Sequence, residues 1–249
     1  MKMSSTLAEP CEPKTRPTQL RDQFGPFGNP LQRFVKRSID VVGALLGLIV
    51  LAPLFAGVAL TVWLRMGRPI LFRQVRAGRN EKPFRLFKFR TMTNDREPTG
   101  ELRPDEIRLT KLGRFLRSSS LDELPQLINV LIGDLSLVGP RPLPLRYLPR
   151  YTDRQRLRHR VRPGITGLAQ VNGRNQLEWA QRLDLDVAYC EQISLWLDVR
   201  ILAATVREVA LRRGAFDSGK AQEFWGTQSK PANSPDSYPV EENELAHLS

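Results

Sequence analysis

SLDELPQLINVLIGDLSLVGPRP, residues 120–142, is the stretch around which the rest of the chain is organised. It opens with two adjacent carboxylates, Asp122 and Glu123, and continues into an apolar segment. Ser120 is a residue type that caps helices, and Pro125 is tolerated only in a helix's first turn. We therefore predict a helix that begins near residues 120–123, with both carboxylates at the positive end of its dipole. Most acidic pairs at such positions only stabilise the helix end, so the pair alone does not establish catalysis.

Composition narrows the class of protein. The chain has 249 residues, a net charge of +12 and a pI near 10.4. This length suffices for one large domain or two small ones with a buried core. The basic excess, mostly Arg, favours phosphate-rich partners such as nucleic acid, anionic lipid or phosphorylated small molecules. Only Cys11 and Cys190 are present, which excludes a disulfide framework and fits a reducing compartment. With two histidines and no Cys/His cluster, we expect no zinc site.

The segment VVGALLGLIVLAPLFAGVALTVWL, residues 41–64, contains no charged side chain. As a straight helix it would be about 36 Å long, enough to span a bilayer. Basic residues flank both ends, so a spanning helix would export one basic cluster against the positive-inside tendency. Pro53 lies at the centre, where it removes a backbone hydrogen bond and bends a helix. From the residues alone, a spanning helix and a helix that enters one leaflet and returns are equal alternatives.

Two β-like runs, residues 69–76 and 83–92, are separated by AGRNEK and predict a β-hairpin. In the second run, period-2 alternation places Lys88 and Arg90 on one face, a pattern most often found on a solvated strand. The polar residues 93–110 contain Gly and Pro and predict a loop or lid over a site.

The remaining segments suggest a loop, a helix and two tails. Residues 162–175, RPGITGLAQVNGRN, are glycine-rich, and such glycines let backbone N–H groups approach a phosphate. This segment matches no Walker A loop or dinucleotide fingerprint. Residues 193–213 carry apolar side chains at spacings of three to four and predict an amphipathic helix, which packs on a core or lies in a membrane interface. The proline-containing residues 1–32 and 227–249 predict disordered tails.

Taken together, these segments resemble the bacterial sugar transferase family, the monotopic phosphoglycosyl transferases that load a sugar phosphate onto polyprenyl phosphate. The resemblance covers residues 33–226 and rests on several long motifs in the same order. These are KRSID (36–40), the apolar stretch with a central proline, FKFRTM (87–92), LRSSSLDELPQLINVLIGDLSLVGPRP (116–142), RPGITGLAQVNGRN (162–175) and LDVRI (197–201). The family breaks its membrane helix at a Ser-Pro step, whereas Ala52-Pro53 stands here.

The segments and the resemblance together predict a mainly α-helical protein with a small β-hairpin. The resemblance implies a monotopic membrane protein with one re-entrant helix, broken at Pro53, and amphipathic interface helices. It places the enzyme at the bacterial inner (cytoplasmic) membrane. The expected organisation is a disordered tail (1–32), a membrane re-entrant region (33–68), a catalytic domain on the cytoplasmic face (69–226) and a second disordered tail (227–249).

The resemblance also implies a reaction, the first membrane step of polysaccharide synthesis. A UDP-sugar donates its sugar 1-phosphate to polyprenyl (undecaprenyl) phosphate and releases UMP, through a covalent phosphosugar on an aspartate and with Mg²⁺. Asp122 matches the catalytic nucleophile and Glu123 its metal-binding neighbour, so both carboxylates are expected beside the Mg²⁺. The positions matching those that the family uses around phosphate and nucleotide are Lys88, Arg117, Arg141 and Arg174.

Physical chemistry is consistent with these roles. A carboxylate nucleophile has to be ionised, and we expect the helix N-terminus and nearby Arg117 to keep Asp122 so. Mg²⁺ and arginines would offset the charge that a diphosphate brings to the two carboxylates. The alternative function is a basic membrane-anchored scaffold or nucleic-acid-binding protein. Because no helix-turn-helix, RNP-like or zinc-finger pattern is present, we expect no nucleic-acid partner. The sequence leaves open whether the sugar is a hexose or an N-acetylated amino sugar, and the oligomeric state.

Overall fold

The computed structural model describes residues 30–173, 177–210, 224 and 226. The tail predicted at 227–249 lies outside these residues, as does most of the tail predicted at 1–32. The exception is residues 30–32, which already belong to the first helix. The helices are α1 (Pro30–Val50), α2 (Ala52–Met66), α3 (Asp105–Arg108), α4 (Lys111–Ser118), α5 (Gln126–Ile132), α6 (Asp153–Arg156), α7 (Leu168–Val171), α8 (Trp179–Gln192) and α9 (Leu195–Ala210). The strands are β1 (Leu71–Ala77), β2 (Pro83–Phe89), β3 (Ser136–Val138) and β4 (Gly164–Thr166).

The prediction of a mainly helical fold with a small β-hairpin is confirmed. Strands β1 and β2 pair antiparallel, with Leu71 opposite Phe89 and Ala77 opposite Pro83. A 3-10 turn, Arg79–Glu81, connects them. The hairpin packs on α5 through the side chain of Asn129, which is fully buried and completes the edge of β2. Its Nδ2 donates to the carbonyl oxygen of residue 85, 2.7 Å away, and its Oδ1 accepts from the amide of residue 87 at 3.0 Å.

A second sheet, which the sequence did not indicate, consists of β3 and β4 in parallel. Ser136 pairs with Gly164 and Val138 with Thr166. Strand β4 therefore occupies part of the glycine-rich segment that we interpreted as a loop. A Cβ added at Gly164 would lie 2.1 Å from the amide nitrogen of Gly139, so the glycine is needed for the close approach of two backbones. Three-residue strands are too short to show a period-2 pattern, which explains why the pair was missed.

Helices α1 and α2 form one bent unit. They meet at Leu51 at an angle of 64°, and Pro53 lies in the first turn of α2, where its missing N–H is tolerated. Within the described residues, no single helix has the length and apolar content to cross a bilayer, whereas α1 and α2 together meet that criterion.

One side of the bent pair packs on the rest of the protein. Ala44 of α1 is fully buried against α5 and β2, and Val62 of α2 is fully buried in a second core cluster with Phe89. Polar contacts reinforce this packing. Asp40 Oδ1 accepts from the amide of Leu137 at 3.0 Å, and Arg90 donates to the carbonyl oxygens of residues 66, 68 and 92.

Helix α9 confirms the predicted amphipathic helix. However, the regularly spaced apolar side chains of this helix do not all pack on the core. Ile201 is buried, and Leu202 packs beside it. Val199 and Val206, which belong to the same spacing, are 54% and 70% exposed. Trp196 at the start of the helix is 71% exposed. Part of the apolar pattern therefore faces away from the rest of the described protein.

Candidate active site

The two carboxylates lie on a tight turn rather than in the first turn of an α-helix, so the predicted helix start is wrong. Helix α4 ends at Ser118, and Ser120 adopts a left-handed conformation with φ 58°. A 3-10 turn of residues 121–123 follows, and α5 starts only at Gln126. Ser120 makes no side-chain capping hydrogen bond, because its backbone reverses the chain between the two helices instead of starting one.

Core packing fixes the orientation of this turn. Leu121 and Leu124, on either side of the carboxylates, pack against the cluster that contains Phe89 and Leu116. Anchored by these contacts, the turn presents Asp122 with only 6% of its surface exposed. Buried carboxylates are rare in proteins, and those that occur are found most often in functional sites.

Glu123 is held between two cations that come from distant parts of the chain. Lys88 Nζ on β2 donates to Glu123 Oε1 at 2.8 Å, and Arg141 Nη2 donates to the same oxygen at 3.0 Å. Lys88 Nζ also lies 3.9 Å from Asp122 Oδ2. The structure thus brings four of the predicted site residues together, from β2, the 3-10 turn and the segment after β3.

The two adjacent carboxyl groups have different proton affinities. Burial raises the pKa of Asp122 to about 6, and Glu123 adds to the rise, while Lys88 opposes it. Burial alone would also raise the pKa of Glu123, but Lys88 and Arg141 outweigh it and hold that pKa well below its usual range. Asp122 with this pKa is ionised at neutral pH, as expected. The expected effect of the helix N-terminus and Arg117, a pKa held low, is not what the structure shows. The pKa of Asp122 lies above the ordinary value, since desolvation exceeds the contribution of Arg117.

Arg117 lies near this centre but binds a different partner in the protein. Its Nε donates to Thr91 Oγ1 at 3.0 Å, just beyond the end of β2. Burial lowers the pKa of Arg117, while the charge of Asp122 raises it. Arg117 is therefore in electrostatic contact with the buried carboxylate. Arg174, the remaining predicted site residue, lies outside the described residues.

Arg158 and Asp186 position Arg141, and sequence reasoning missed both. Arg158 Nη2 donates to the carbonyl oxygen of Arg141 at 2.6 Å and to Asp186 Oδ2 at 2.6 Å. Arg158 and Asp186 are each 3% exposed. Arg158 stands in the basic run at 150–162, where nothing in the sequence separates one internal arginine from its solvated neighbours.

Comparison with known proteins decides the family. The sequence profile of the bacterial sugar transferases matches residues 31–212, nearly three quarters of the chain. The chain belongs to the bacterial sugar transferase family. The resemblance that its motifs suggested is therefore confirmed, as is the prediction that it is an enzyme of the sugar-phosphate transferase type.

Individual relatives extend this comparison. The uncharacterized sugar transferase EpsL of Bacillus subtilis is 52% identical over 195 residues, 78% of this chain and 96% of that protein. The UDP-glucose:undecaprenyl-phosphate glucose-1-phosphate transferase of Caulobacter vibrioides is 41% identical over 203 residues, 76% of each chain. The undecaprenyl-phosphate galactose phosphotransferase of Salmonella typhimurium is 39% identical over 204 residues, 74% of this chain but only 42% of that longer protein. The sugar transferase described here thus spans nearly all of EpsL and less than half of the Salmonella protein.

The acidic residues of this sugar transferase limit how it could hold a metal. In the parts of the chain that the structure describes, no group of three or more His, Cys, Asp or Glu side chains is placed for one ion. Asp122 and Glu123 provide two neighbouring carboxylates. Mg²⁺ in phosphate-processing enzymes is usually held by one or two carboxylates, with substrate phosphates and water as the other ligands. The pair fits that kind of site and does not fit an all-protein metal cage.

Proposed function

We propose that this enzyme transfers a hexose 1-phosphate from a UDP-sugar to undecaprenyl phosphate, giving undecaprenyl diphosphate-hexose and UMP. The observation that carries the proposal is the buried Asp122 beside Glu123, with Lys88 and Arg141 on the second carboxylate. The relatives named for glucose and galactose transfer to undecaprenyl phosphate support a hexose rather than an N-acetylated amino sugar.

In the proposed first step, a carboxylate oxygen of Asp122 attacks the phosphorus that carries the sugar. The bond from that phosphorus to the bridging oxygen breaks, and its electron pair leaves with UMP. In the second step, an oxygen of undecaprenyl phosphate attacks the same phosphorus, and the Asp122 carboxylate is released. A water-soluble donor and a lipid acceptor can thus use one site in turn. The burial of Asp122 supports this role, because a poorly hydrated carboxylate has less water to lose before attack.

The division of labour between the two carboxylates follows from their electrostatics. Asp122, with a pKa of about 6, is ionised at neutral pH. Among the residues that the structure describes, the cation paired with it is Lys88, whose Nζ lies 3.9 Å from Oδ2. Glu123 is fixed by two cations and is the weaker base of the pair. We assign Asp122 as nucleophile and Glu123 as the residue that organises the cations around it. Both carboxylates would hold Mg²⁺, which would supply positive charge to the substrate phosphates.

Lys88, Arg117 and Arg141 would bind the substrate phosphates. A diphosphate brings negative charge next to two carboxylates, and each arginine can offset it with a pair of parallel hydrogen bonds. Arg141 is half exposed, so its guanidinium has donors available to a ligand in addition to the bond to Glu123. Arg174 is proposed for the same role from the sequence motif alone.

The lipid substrate requires the site to lie at a membrane, and the surface of the protein supports this. Large apolar side chains are exposed along both helices of the bent pair and on α4, α5 and α9. They include Phe34, Val42, Leu46, Val50, Leu60, Leu64, Phe115, Ile132, Trp196 and Val206. Soluble proteins seldom leave so much apolar surface exposed without a partner. We propose that α1–α2 enters and leaves the cytoplasmic membrane on the cytoplasmic side, with α9 in the interface.

Release of UMP tests the proposed function directly. Purified full-length enzyme is mixed with undecaprenyl phosphate, Mg²⁺ and each of a panel of UDP-sugars, and UMP is measured. We expect release with UDP-glucose or UDP-galactose and none from Asp122→Asn. Release from no UDP-sugar would contradict the reaction, and release only from UDP-N-acetylated sugars would contradict the hexose assignment.

A further inference from the structure

Two of the motifs that suggested the family, KRSID (36–40) and LDVRI (197–201), meet in the structure at a place that the proposed chemistry does not use. Lys36 Nζ of α1 lies 2.6 Å from Asp198 Oδ2 of α9. Both side chains are largely buried, with 12% and 9% of their surfaces exposed. The ion pair therefore joins the first helix of the bent unit to α9 inside the protein.

Tyr189 of α8 belongs to the same group. Its hydroxyl lies 2.7 Å from Asp198 Oδ1 and 3.0 Å from the carbonyl oxygen of Val138, at the end of β3. Burial, together with the charge of Asp198, raises the pKa of Tyr189 well above its ordinary value, so the hydroxyl keeps its proton and acts as a donor. Lys36 Nζ donates to the same carbonyl oxygen at 3.3 Å. Side chains of α1 and α8, both bound to Asp198 of α9, thus converge on one backbone atom of β3.

The residues just before Val138 are held by side chains as well. Asp40 Oδ1 of α1 accepts from the amide of Leu137 at 3.0 Å, and Ser136 Oγ donates to the carbonyl oxygen of Val138 at 2.9 Å. Strand β3 has only three residues, so its pairing with β4 provides few main-chain hydrogen bonds. Contacts from α1 and α8 therefore contribute to fixing the position of this strand.

The segment that follows β3 carries Arg141. Only two residues separate Val138 from Arg141, and the second of them is Pro140. Pro142 follows directly, so the backbone is restricted on both sides of Arg141. A rigid segment transmits a displacement of the strand instead of absorbing it. A shift at Val138 would therefore move the Arg141 guanidinium, whose Nη2 lies 3.0 Å from Glu123 Oε1.

Stability alone is a weak reason for a buried ion pair of this kind. The attraction between the two charges is largely offset by the cost of removing both from water, and apolar side chains of similar size often stabilise a fold equally well. Hydrogen bonds are directional, however, and they fix the positions of the atoms that they join. Their convergence on the strand before Arg141 indicates a role in the geometry of the active site.

We propose that Lys36, Tyr189 and Asp198 are positioning residues, which hold the end of β3 so that Arg141 meets Glu123. They act through the backbone of residues 138–141, not by contact with the substrate. The inference rests on the proposed function, because it takes Arg141 as a group that serves the reaction.

The test variants are Tyr189→Phe and Asp198→Asn in the full-length enzyme, since both nearly preserve side-chain shape while they remove bonds of this group. Thr205→Val is the matched control. It removes a hydroxyl of α9 that bonds to Thr166 Oγ1 and to the carbonyl oxygen of Ile201, so it loosens the packing of the same helix without removing a bond to Val138.

The first measurement needs no turnover. Hydrogen–deuterium exchange is followed in peptides that cover residues 134–142, at a temperature at which every variant is folded. Tyr189→Phe and Asp198→Asn should exchange there faster than the wild type, by about threefold or more, because local opening of the strand costs less free energy. Thr205→Val should match the wild type in this segment. Unchanged exchange in both test variants would overturn the inference.

The second measurement is a double-mutant cycle with Arg141→Met, read as UMP release from the preferred UDP-hexose. Tyr189→Phe should lower kcat/KM by about tenfold in the wild-type background, and Thr205→Val by less than about twofold. In the Arg141→Met background, Tyr189→Phe should change the remaining kcat/KM by less than about twofold, since the arginine through which it acts is gone.

Two kinetic results would also overturn the inference. Wild-type kcat/KM in Tyr189→Phe would show that the group does not influence the site. A loss of the same size with and without Arg141 would assign Tyr189 a structural role that does not pass through Arg141. Failure of the proposed function looks different, since the wild-type enzyme would then release no UMP from any UDP-sugar, whatever the exchange measurement shows.

Discussion

Lys88 Nζ lies 2.8 Å from Glu123 Oε1, a contact that joins the β-hairpin to the turn carrying both carboxylates. The same amine lies 3.9 Å from Asp122 Oδ2. One side chain therefore neutralises Glu123 and moderates the pKa of Asp122. This relationship lets the two carboxylates differ in basicity although they are adjacent in the chain.

Replacing Lys88 should change the pH dependence of the enzyme. Asp122 has to be ionised to attack, so activity falls as the pH drops through its pKa of about 6. Lys88 lowers that pKa, and Lys88→Met should therefore move the acid limb of the kcat/KM profile to higher pH, by about one unit. The activity remaining at the optimum should also fall, by at least about tenfold. Lys82→Met, which removes an exposed lysine of the hairpin turn, is the control and should keep the wild-type profile. An unshifted acid limb in Lys88→Met would contradict this account of Asp122.

Asp122→Asn should stabilise the fold while it abolishes turnover. The pKa of Asp122 is about 6 in the folded protein, above the ordinary value of 3.8. For an acid whose pKa is raised on folding, ionisation destabilises the fold. The cost is absent below about pH 4 and complete above pH 6. A shift of about two units corresponds to an upper limit of about 3 kcal/mol at neutral pH. We expect a higher Tm for Asp122→Asn at pH 7.5 and little difference at pH 4. A lower Tm at pH 7.5 would show that the carboxylate is well solvated or fully paired.

The buried pair of Arg158 and Asp186 should be important for both stability and rate. Arg158→Met leaves Asp186 unpaired in the core and should cost about 3–5 kcal/mol. The double variant Arg158→Met/Asp186→Leu should recover most of this stability. It should not recover kcat, because the carbonyl oxygen of Arg141 still lacks its donor. Arg154→Met, at an arginine whose side chain is 66% exposed, is the control and should change stability by less than about 0.5 kcal/mol. Wild-type kcat in the stable double variant would show that Arg158 does not position Arg141.

The topology of the bent helix pair can be measured by cysteine labelling. Single cysteines replace Arg33 and Arg68, which lie on either side of the uncharged segment 41–64, in a background without Cys11 and Cys190. A re-entrant pair places both positions on the cytoplasmic side, so a membrane-impermeant reagent should reach neither in intact cells and both after permeabilisation. Pro53→Ala restores a backbone donor at the bend and should straighten part of the population toward a spanning helix. Labelling of one position from outside in the wild type would contradict the re-entrant topology.

Much of the fold was predictable because its elements are marked by long apolar patterns or by short local sequence motifs. The α1–α2 pair and α9 are marked by long apolar patterns, and the hairpin by two β-like runs around a short polar turn. Asp122 and Glu123 were found as a pair because they are adjacent in sequence. Lys88 and Arg141 required the family motifs, since nothing in the sequence alone indicates that residues 35 and 18 positions away from Glu123 bind the same oxygen.

The missed features depend on contacts between distant segments. Ser120 was predicted to cap a helix but is a left-handed residue in the turn after α4. The leucines that follow it, Leu121 and Leu124, pack in the core and orient this turn. The direction of the Asp122 pKa shift depends on burial, which composition does not report. Arginines such as Arg37, Arg90 and Arg158 bind internal carbonyl oxygens, so part of the basic excess is structural. That use of arginine looks the same in sequence as a phosphate-binding surface.

The central claim, that Asp122 forms a covalent bond to the sugar phosphate, is tested most directly by intact-protein mass spectrometry. Wild-type enzyme is incubated with a UDP-hexose and Mg²⁺ in the absence of undecaprenyl phosphate, and the same is done with Asp122→Asn. We predict one added hexose phosphate on the wild-type protein, lost when undecaprenyl phosphate is supplied, and none on Asp122→Asn. An unmodified wild-type protein, together with kinetics that require both substrates to be bound at once, would contradict the claim and favour direct attack by the lipid phosphate.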